Sequence, residues 1–443
     1  MSIFKAYDVR GVYPNELNEE IAYKVGRAFV TFLKVNKVAV SQDMRKSSNS
    51  LKKELIKGIT DQGADVIEVN GLCSTPRSYF ACWFLKTPGS IMVTASHNPR
   101  KYNGFKFTRE KAIPISGDTG IKDIEKLVLK NKFKEPKKKG KIIKKDITQD
   151  YKKHILNFIN PKKIKPLKVV IDAGNGMGGK DMELLLGKLP LKVIKMYFKP
   201  DGNFPNHEAN PLKEENLVAL KKKIKEEKAD FGIAPDGDAD RVFFIDENAE
   251  TIPADFITCL IAEKILKKNK GEKVLYDLRS SWITKETIEA FGGKPLMCRV
   301  GHAFIKEQMR KEKAIFAGEL SGHFYFRDNF YTDSGVIAAL KVIQIISEKG
   351  KKLSELVKPL KKYFASGEIN SEVEDKEEKM KELAKIYGDG KISYLDGIRV
   401  DYKDWWFNVR PSNTEPLLRL NLEAKTKELM ETKRDEVLNI IRR

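Results

Sequence analysis

Three times in this chain a lysine leads a short apolar run that ends at an aspartate: Lys37-Val38-Ala39-Val40-Ser41-Gln42-Asp43, Lys168-Val169-Val170-Ile171-Asp172 and Lys273-Val274-Leu275-Tyr276-Asp277. Runs of this length and composition read as strands, and each is followed by a helical stretch. Each unit later reaches a second apolar strand that opens into a polar loop. The loop carries Ser96 in the first unit, Asp236 after Phe231-Gly232-Ile233-Ala234 in the second, and Glu319 after Ala314-Ile315-Phe316-Ala317 in the third. Strands alternating with helices form α/β layers, and such sheets place ligands beyond the carboxyl ends of their strands. Three α/β units of one design are therefore expected, with their three loops facing one cleft.

The pattern stops after about Lys362. Residues 366–375 and 392–401 read as short strands. They are followed by the strand-like Trp405-Trp406-Phe407-Asn408-Val409-Arg410, a loop over 411–416, a further strand over 417–422 and a closing helix through Leu429, Val437 and Ile441. This tail is a fourth, smaller α+β domain. The expected divisions are 1–147, 148–248, 249–364 and 365–443, which suits a chain of 443 residues, too long for one core.

Composition narrows the class. With 41% hydrophobic and 33% charged residues the chain has a globular make-up, and no apolar run approaches a membrane span. The start, Met1-Ser2-Ile3-Phe4-Lys5-Ala6-Tyr7-Asp8, carries charges where a signal peptide needs an apolar stretch, so a cytoplasmic protein is expected. Cys73, Cys82, Cys259 and Cys298 are scattered and suit a reducing compartment. The net charge of +21 raises the question of a nucleic-acid partner. Lysines are spread along the chain and interleaved with glutamates, as in Lys221-Lys222-Lys223-Ile224-Lys225-Glu226-Glu227-Lys228, which is a solvated helix face. The densest run, residues 132–145, holds Pro136, Gly140 and a single aromatic, Phe133; it reads as a surface connection and not as a base-stacking platform. The distribution argues against nucleic acid, and a basic surface would equally draw in small phosphorylated substrates.

Four loops carry chemistry. Thr94-Ala95-Ser96-His97-Asn98-Pro99 places a serine at the end of a strand, where it can be a nucleophile held by the backbone or an ordinary polar turn. Asp236-Gly237-Asp238-Ala239-Asp240-Arg241 sets three carboxylates at alternate positions, a spacing that can aim all three at one hard cation such as Mg²⁺. An EF-hand shares that spacing, but the turn glycine it needs is Arg241 here and Val242-Phe243-Phe244-Ile245 is a buried strand. A haloacid-dehalogenase phosphatase with an aspartate nucleophile and a solvated acidic turn are further alternatives. Gly318-Glu319-Leu320-Ser321-Gly322-His323 offers a carboxylate and a hydroxyl suited to neighbouring hydroxyls of a sugar, or is an exposed turn. Arg410-Pro411-Ser412-Asn413-Thr414-Glu415-Pro416 gathers a guanidinium, hydroxyls and an amide, a cradle for a phosphate dianion or a capped turn after a strand.

One loop of each kind, in this order, resembles the α-D-phosphohexomutase superfamily, and within it the phosphomannomutase/phosphoglucomutase branch. The resemblance runs from Lys5-Ala6-Tyr7-Asp8-Val9-Arg10-Gly11 to the Arg410 loop, nearly the whole chain. It implies three similar α/β domains with mixed sheets and a C-terminal α+β domain of TATA-binding-protein-like form around a central cleft. It further implies a phosphoserine at Ser96, with one Mg²⁺ held by Asp236, Asp238, Asp240 and Ser96, and Arg241 adding positive charge. Lys106 and His323 are implied as general acid or base groups, although the Lys106 ammonium could serve only to stabilise charge. Tyr7, Arg10 and His302 are implied to contact substrate. Glu319 and Ser321 would hold ring hydroxyls, while Arg410, Ser412, Asn413 and Thr414 would clamp the non-reacting phosphate. His97 would orient the loop. Asp43-Met44-Arg45-Lys46-Ser47-Ser48 fits the family's Asp-x-Arg-x-Ser pattern, with Gln42 in place of its usual arginine.

The implied reaction interconverts hexose 1-phosphate and hexose 6-phosphate through a hexose 1,6-bisphosphate, which also serves as activator. The partner is a small phosphosugar, with no membrane and a monomer or dimer as the assembly. Glu319-Leu320-Ser321 resembles the glucose and mannose enzymes, whereas phosphoglucosamine mutases carry an Asp-Gln-Ser version, so phosphoglucosamine mutase is the alternative. A Mg²⁺-dependent sugar phosphatase is a further one.

Overall fold

In the computed structural model, which describes residues 2–412 and 417–443, the threefold pattern becomes three mixed sheets of one topology. The first runs in the order Val9–Val12, Tyr102–Arg109, Gly89–Val93, Lys37–Gln42, Asp65–Val69, Ile142–Lys145. The second is Thr251–Ile252, Val242–Asp246, Phe231–Pro235, Leu167–Asp172, Leu191–Met196, and the third is Lys294–Cys298, Lys273–Asp277, Phe316–Gly318, Phe324–Phe326, Thr332–Asp333. In each, the lysine-led strand pairs in parallel on both sides. The second apolar strand of each unit then pairs antiparallel with the strand that follows it. The three chemistry-bearing loops are therefore the same hairpin connection, repeated three times.

The aspartate that ends each lysine-led strand has a local task. Asp43 Oδ1 accepts the Arg45 amide at 3.0 Å, Asp172 Oδ1 the Gly174 amide at 2.9 Å and Asp277 Oδ1 the Arg279 amide at 2.7 Å. Each is an Asx-type turn that satisfies a backbone donor just beyond the sheet, where no ladder partner remains.

The second and third sheets share one core. Helix Gly335–Lys349 is apolar nearly all round, as a helix between two layers must be, and buries Val336, Ile337, Leu340, Val342 and Ile343 against both. Each such side chain contributes about 1.5–3 kcal/mol relative to exposure, which fixes the second and third loops against one another. The first sheet has its own core around Phe29, Phe105 and Phe107, and the tail another around Trp405, Phe407 and Leu420. The seam between third unit and tail includes polar contacts: Trp282 N donates to Glu423 Oε1 at 2.9 Å and Val300 N to Asp396 Oδ2 at 3.1 Å.

The tail is an antiparallel sheet of six strands with helices Lys376–Ile386 and Lys427–Arg442. Helix Lys376–Ile386 was not legible as such, although its signal is present: the Asp375 carboxylate accepts the Glu377 and Glu378 amides as an N-cap. Residues 392–401, expected as one strand, form two, Lys391–Ser393 and Ile398–Asp401, paired across a turn in which Gly397 has φ +64°. The lysine-rich run 132–145, expected as a connection, ends in a strand. Ile142–Lys145 extends the first sheet parallel to Asp65–Val69 as an edge strand whose four residues are all exposed, with Lys144 and Lys145 charging the edge. No helix among the described residues is long and apolar enough to cross a membrane.

Candidate active site

Ser96 is buried and sits at φ +51°, a left-handed conformation uncommon for a non-glycine residue. Arg45 holds it there. Its Nη2 donates to the carbonyls of Ser96 at 2.8 Å and Asn98 at 2.6 Å, and its Nη1 to those of Pro99 at 2.9 Å and Tyr102 at 3.0 Å. Its Nε lies 3.3 Å from Asp43, so the strand-ending aspartate and the serine loop are braced together. The serine Oγ donates to Asp236 Oδ2 at 3.0 Å and lies 3.2 Å from His97 Nδ1. Gly237 is required for this approach, since a Cβ there would stand 2.5 Å from the Ser96 carbonyl oxygen. Arg10, on the neighbouring strand, pairs with Asp8 at 2.8 Å and bonds the Asn98 side chain.

Asp236, Asp238 and Asp240 are all buried, with carboxylate oxygens within 4.8 Å of one another. Lys106 Nζ bridges two of them, at 2.7 Å from Asp238 Oδ2 and 2.5 Å from Asp240 Oδ2. Arg241 Nε stands 3.8 Å from Asp236 Oδ2. Burial alone would lower the Lys106 pKa, but the two carboxylates outweigh it and hold the ammonium above its ordinary value. Burial together with Asp240 and Asp238 drives Asp236 well above the carboxylate range, whereas Lys106 and His323 overcome burial at Asp240 and hold it well below. Asp238 Oδ1 is buried without a hydrogen-bond partner, and Asp240 Oδ1 has only an ion pair, with His323 Nε2 at 3.3 Å. Three crowded, buried carboxylates with an unpartnered oxygen among them fit a hard divalent cation, whose ligands are oxygens.

Beyond this loop a run of charges leads across the molecule. The hairpins of the second and third units join edge to edge through an Arg241–His323 bridge. His323 Nε2 lies 3.3 Å from Asp240 Oδ1, and its Nδ1 is 3.1 Å from Glu319 Oε2 and 3.0 Å from Ser321 Oγ. Burial and Arg241 oppose the imidazolium, but Asp240 and Glu319 prevail and raise its pKa to about 9. Glu319 Oε2 also accepts from Tyr325 OH at 2.7 Å, and Oε1 is 3.7 Å from Arg279 Nη2. Burial opposes the Glu319 carboxylate, yet His323 and Arg279 hold its pKa far below the usual range. Arg279 Nη1 then reaches Glu368 Oε2 at 3.3 Å, and the same oxygen takes Arg410 Nη2 at 2.8 Å, with Arg419 Nη1 3.3 Å from Oε1. Ser96, the three aspartates, Glu319 and Arg410 are thus linked by successive polar contacts.

Tyr7 and His302 stand where the first and third units meet, their rings 5.6 Å apart. Tyr7 OH reaches the Val300 carbonyl at 3.3 Å, and burial raises its pKa to about 12. Gly301 has φ +122°, and a Cβ on it would lie 2.7 Å from the Tyr7 ring. Ser412 is buried directly after the strand Trp405–Pro411 that carries Arg410. Asn413 and Thr414 lie outside the described residues.

Three participants were not singled out from sequence: Arg279, Glu368 and Thr75, whose amide donates to the Asp238 carbonyl at 2.9 Å. Arg279 was within reach. It follows its strand-ending aspartate by two positions, as Arg45 follows Asp43, and pairs with it at 3.0 Å in the same way.

Four family models match the chain: phosphoglucomutase/phosphomannomutase α/β/α domain I over residues 1–135, domain II over 149–249, domain III over 253–363 and the C-terminal domain over 368–440. Similar curated proteins include one named as phosphohexose mutases from Xanthomonas campestris pv. campestris, 43% identical with 99% of each chain covered. Another is a phosphomannomutase of Vibrio cholerae, 43% identical over 100% of this chain and 99% of that one. Among solved structures, a phosphoglucomutase/phosphomannomutase family protein from Burkholderia thailandensis superimposes with a TM-score of 0.90 at 32% identity, covering 99% of this chain and 96% of that one.

Proposed function

Because the chain belongs to the phosphoglucomutase/phosphomannomutase family and is a hexose-phosphate mutase, we propose a division of labour among its four loops and a preference for mannose and glucose phosphates. Ser96 is the phosphoryl carrier. Its phosphoryl group passes to the free hydroxyl of a hexose 1-phosphate, the resulting 1,6-bisphosphate turns around, and the serine recovers a phosphoryl group from the other end. The observation that carries this reading is the Ser96 Oγ, 3.0 Å from Asp236 inside a buried triple-aspartate cluster, with a run of charges leading to Arg410.

Asp236, Asp238 and Asp240 would hold Mg²⁺ together with the phosphorylated Ser96. Bound there, the ion neutralises charge on the transferring phosphoryl oxygens. Lys106 and Arg241 add fixed positive charge beside it. Because Lys106 is paired to two carboxylates, it serves better as an electrostatic stabiliser and proton donor than as a base. His323, flanked by carboxylates on both ring nitrogens, is likewise an acid in this state. Arg410 and Ser412, with Asn413 and Thr414, grip the far phosphate in either orientation, and Arg279 joins them from the third unit. Glu319 and Ser321 face the sugar between. The names of the curated relatives, phosphomannomutase among them, support mannose phosphates as substrates, and the Glu319-Leu320-Ser321 turn supports glucose and mannose over glucosamine.

The test supplies purified protein with Mg²⁺, a trace of bisphosphate and the 1-phosphates of mannose, glucose and glucosamine in parallel. Mannose and glucose should give their 6-phosphates, and Ser96→Ala should lose nearly all of that activity. Full activity in Ser96→Ala, or steady release of inorganic phosphate without isomer, overturns the reading.

A further inference from the structure

Lys306 is among the largest side chains that are wholly buried, an expensive place for an ammonium unless every donor is met. Helix His302–Glu312 carries it, and an apolar residue of equal length would fill the same space. Its Nζ lies 3.0 Å from Asp333 Oδ1, 2.9 Å from Tyr79 OH and 3.3 Å from His302 Nδ1. Two of its protons thus meet hydrogen-bond acceptors, one from the first unit and one from a turn back along its own helix, while Asp333 of the third sheet balances the charge as an ion pair. Tyr79 sits on Thr75–Phe84, the helix whose first residue bonds the Asp238 carbonyl, so Lys306 is referenced to the metal loop as well.

We propose that Lys306 is a positioning residue that holds His302 as a neutral imidazole with its proton on Nε2, so that this nitrogen is presented to the hexose phosphate as a donor. The inference rests on the reading of His302 as a substrate contact. An ammonium has donors and no acceptor, so the ring nitrogen beside it must accept, and the ring proton is left on the other nitrogen. Among the described residues, Nε2 has no hydrogen-bond partner of its own. The ring stands between Tyr7, at 5.6 Å, and His323, at 6.2 Å. Burial, with the charges of Lys306, Lys106 and His323, pushes the His302 pKa well below the ordinary value against the opposing pull of Asp240. Neutrality and tautomer are therefore set by the same neighbour.

The experiment is ¹⁵N spectroscopy of the full chain labelled at its five histidines, with His302→Gln identifying the resonances of interest. In the wild type, His302 should show the neutral Nε2–H form across about pH 5 to 8, where an ordinary histidine titrates. Lys306→Met should give a mixture of tautomers and lower kcat/KM for a hexose 1-phosphate about tenfold, the scale of one directed hydrogen bond. In the His302→Gln background the same substitution should cost no more than about twofold, because the group it acts through is gone. A proton on Nδ1 or an imidazolium in the wild type overturns the proposal, as does an unchanged tautomer in Lys306→Met or an equal loss in both backgrounds. The wild-type spectrum needs no substitution, so a Lys306→Met chain that fails to fold leaves the test standing. Wild-type mutase activity in His302→Gln would instead overturn the substrate-contact reading, separately from the tautomer.

Discussion

Replacing Arg45 by lysine keeps a positive charge at the base of the serine loop and removes the fork. Arginine donates along two edges to four carbonyls, at 2.6 to 3.0 Å, with its Nε beside Asp43. A lysine ammonium has three protons on one atom and cannot span these acceptors. At least two hydrogen bonds from a charged donor are lost, each worth about 1.5 kcal/mol at the low end, so the first unit should lose about 3 kcal/mol. For a unit of this size that lowers its melting transition by roughly 6–12 °C in calorimetry. The functional consequence follows from the same bonds. Without them Ser96 has no reason to remain at φ +51°, a conformation that costs about 1–3 kcal/mol. With Ser96 as the proposed phosphoryl carrier, its displacement by an ångström would cost about 10²-fold, so kcat in the mutase assay should fall by that order. A lysine variant that melts with the wild type and keeps kcat within twofold would show that the serine loop holds its shape without this guanidinium.

Three further outcomes follow from the same geometry. Asp238→Asn removes a carboxylate whose Oδ1 has no partner and whose Oδ2 meets Lys106; half-maximal activation should need at least ten times more Mg²⁺ in a titration, and an unchanged Mg²⁺ requirement would remove Asp238 from the metal site. Burial opposes the Glu368 carboxylate, but Arg279 and Arg410 outweigh it and lower its pKa from 4.5 to about 2. A depressed acid stabilises the fold above its unfolded pKa, so this contribution, screened by solvent at an exposed residue to about 1 kcal/mol, is present above pH 4.5 and is lost as pH falls toward 2. Glu368→Gln should therefore lower stability at neutral pH and flatten its decline in acid, and a parallel pH curve would contradict the pairing. Gly301→Ala strains a φ of +122° and places a Cβ 2.7 Å from the Tyr7 ring, so KM should rise several-fold while the loss of stability stays near 1–3 kcal/mol; unchanged KM would free Tyr7 from the substrate face.

Strand-scale features were legible in the sequence because they rest on local rules. An apolar run led by lysine and ended by aspartate can be recognised without knowing what it packs against, and its three copies announced three sheets of one topology. The loops at Ser96, Asp236 and Glu319 were legible for the same reason, since each is a contiguous polar run that follows an apolar strand. The tail was read less well. Helix Lys376–Ile386 is mostly charged with a narrow buried face, so periodicity is weak there and only its Asp375 cap marks it.

What sequence could not supply is which side chains meet across units. Arg45 braces the serine loop only because its strand lies beside the one that ends there, and Lys106 reaches Asp238 and Asp240 from more than 130 positions away. Arg279 and Arg410 both meet Glu368 at the seam between third unit and tail, a contact that neither segment encodes alone. The buried ammonium of Lys306 is the sharpest case. In the sequence it is one lysine among many, and only the closing of Tyr79, His302 and Asp333 around it makes it a group with one arrangement of protons. Local chemistry wrote the parts of this protein, and desolvation in the assembled core decided which charges have to face each other.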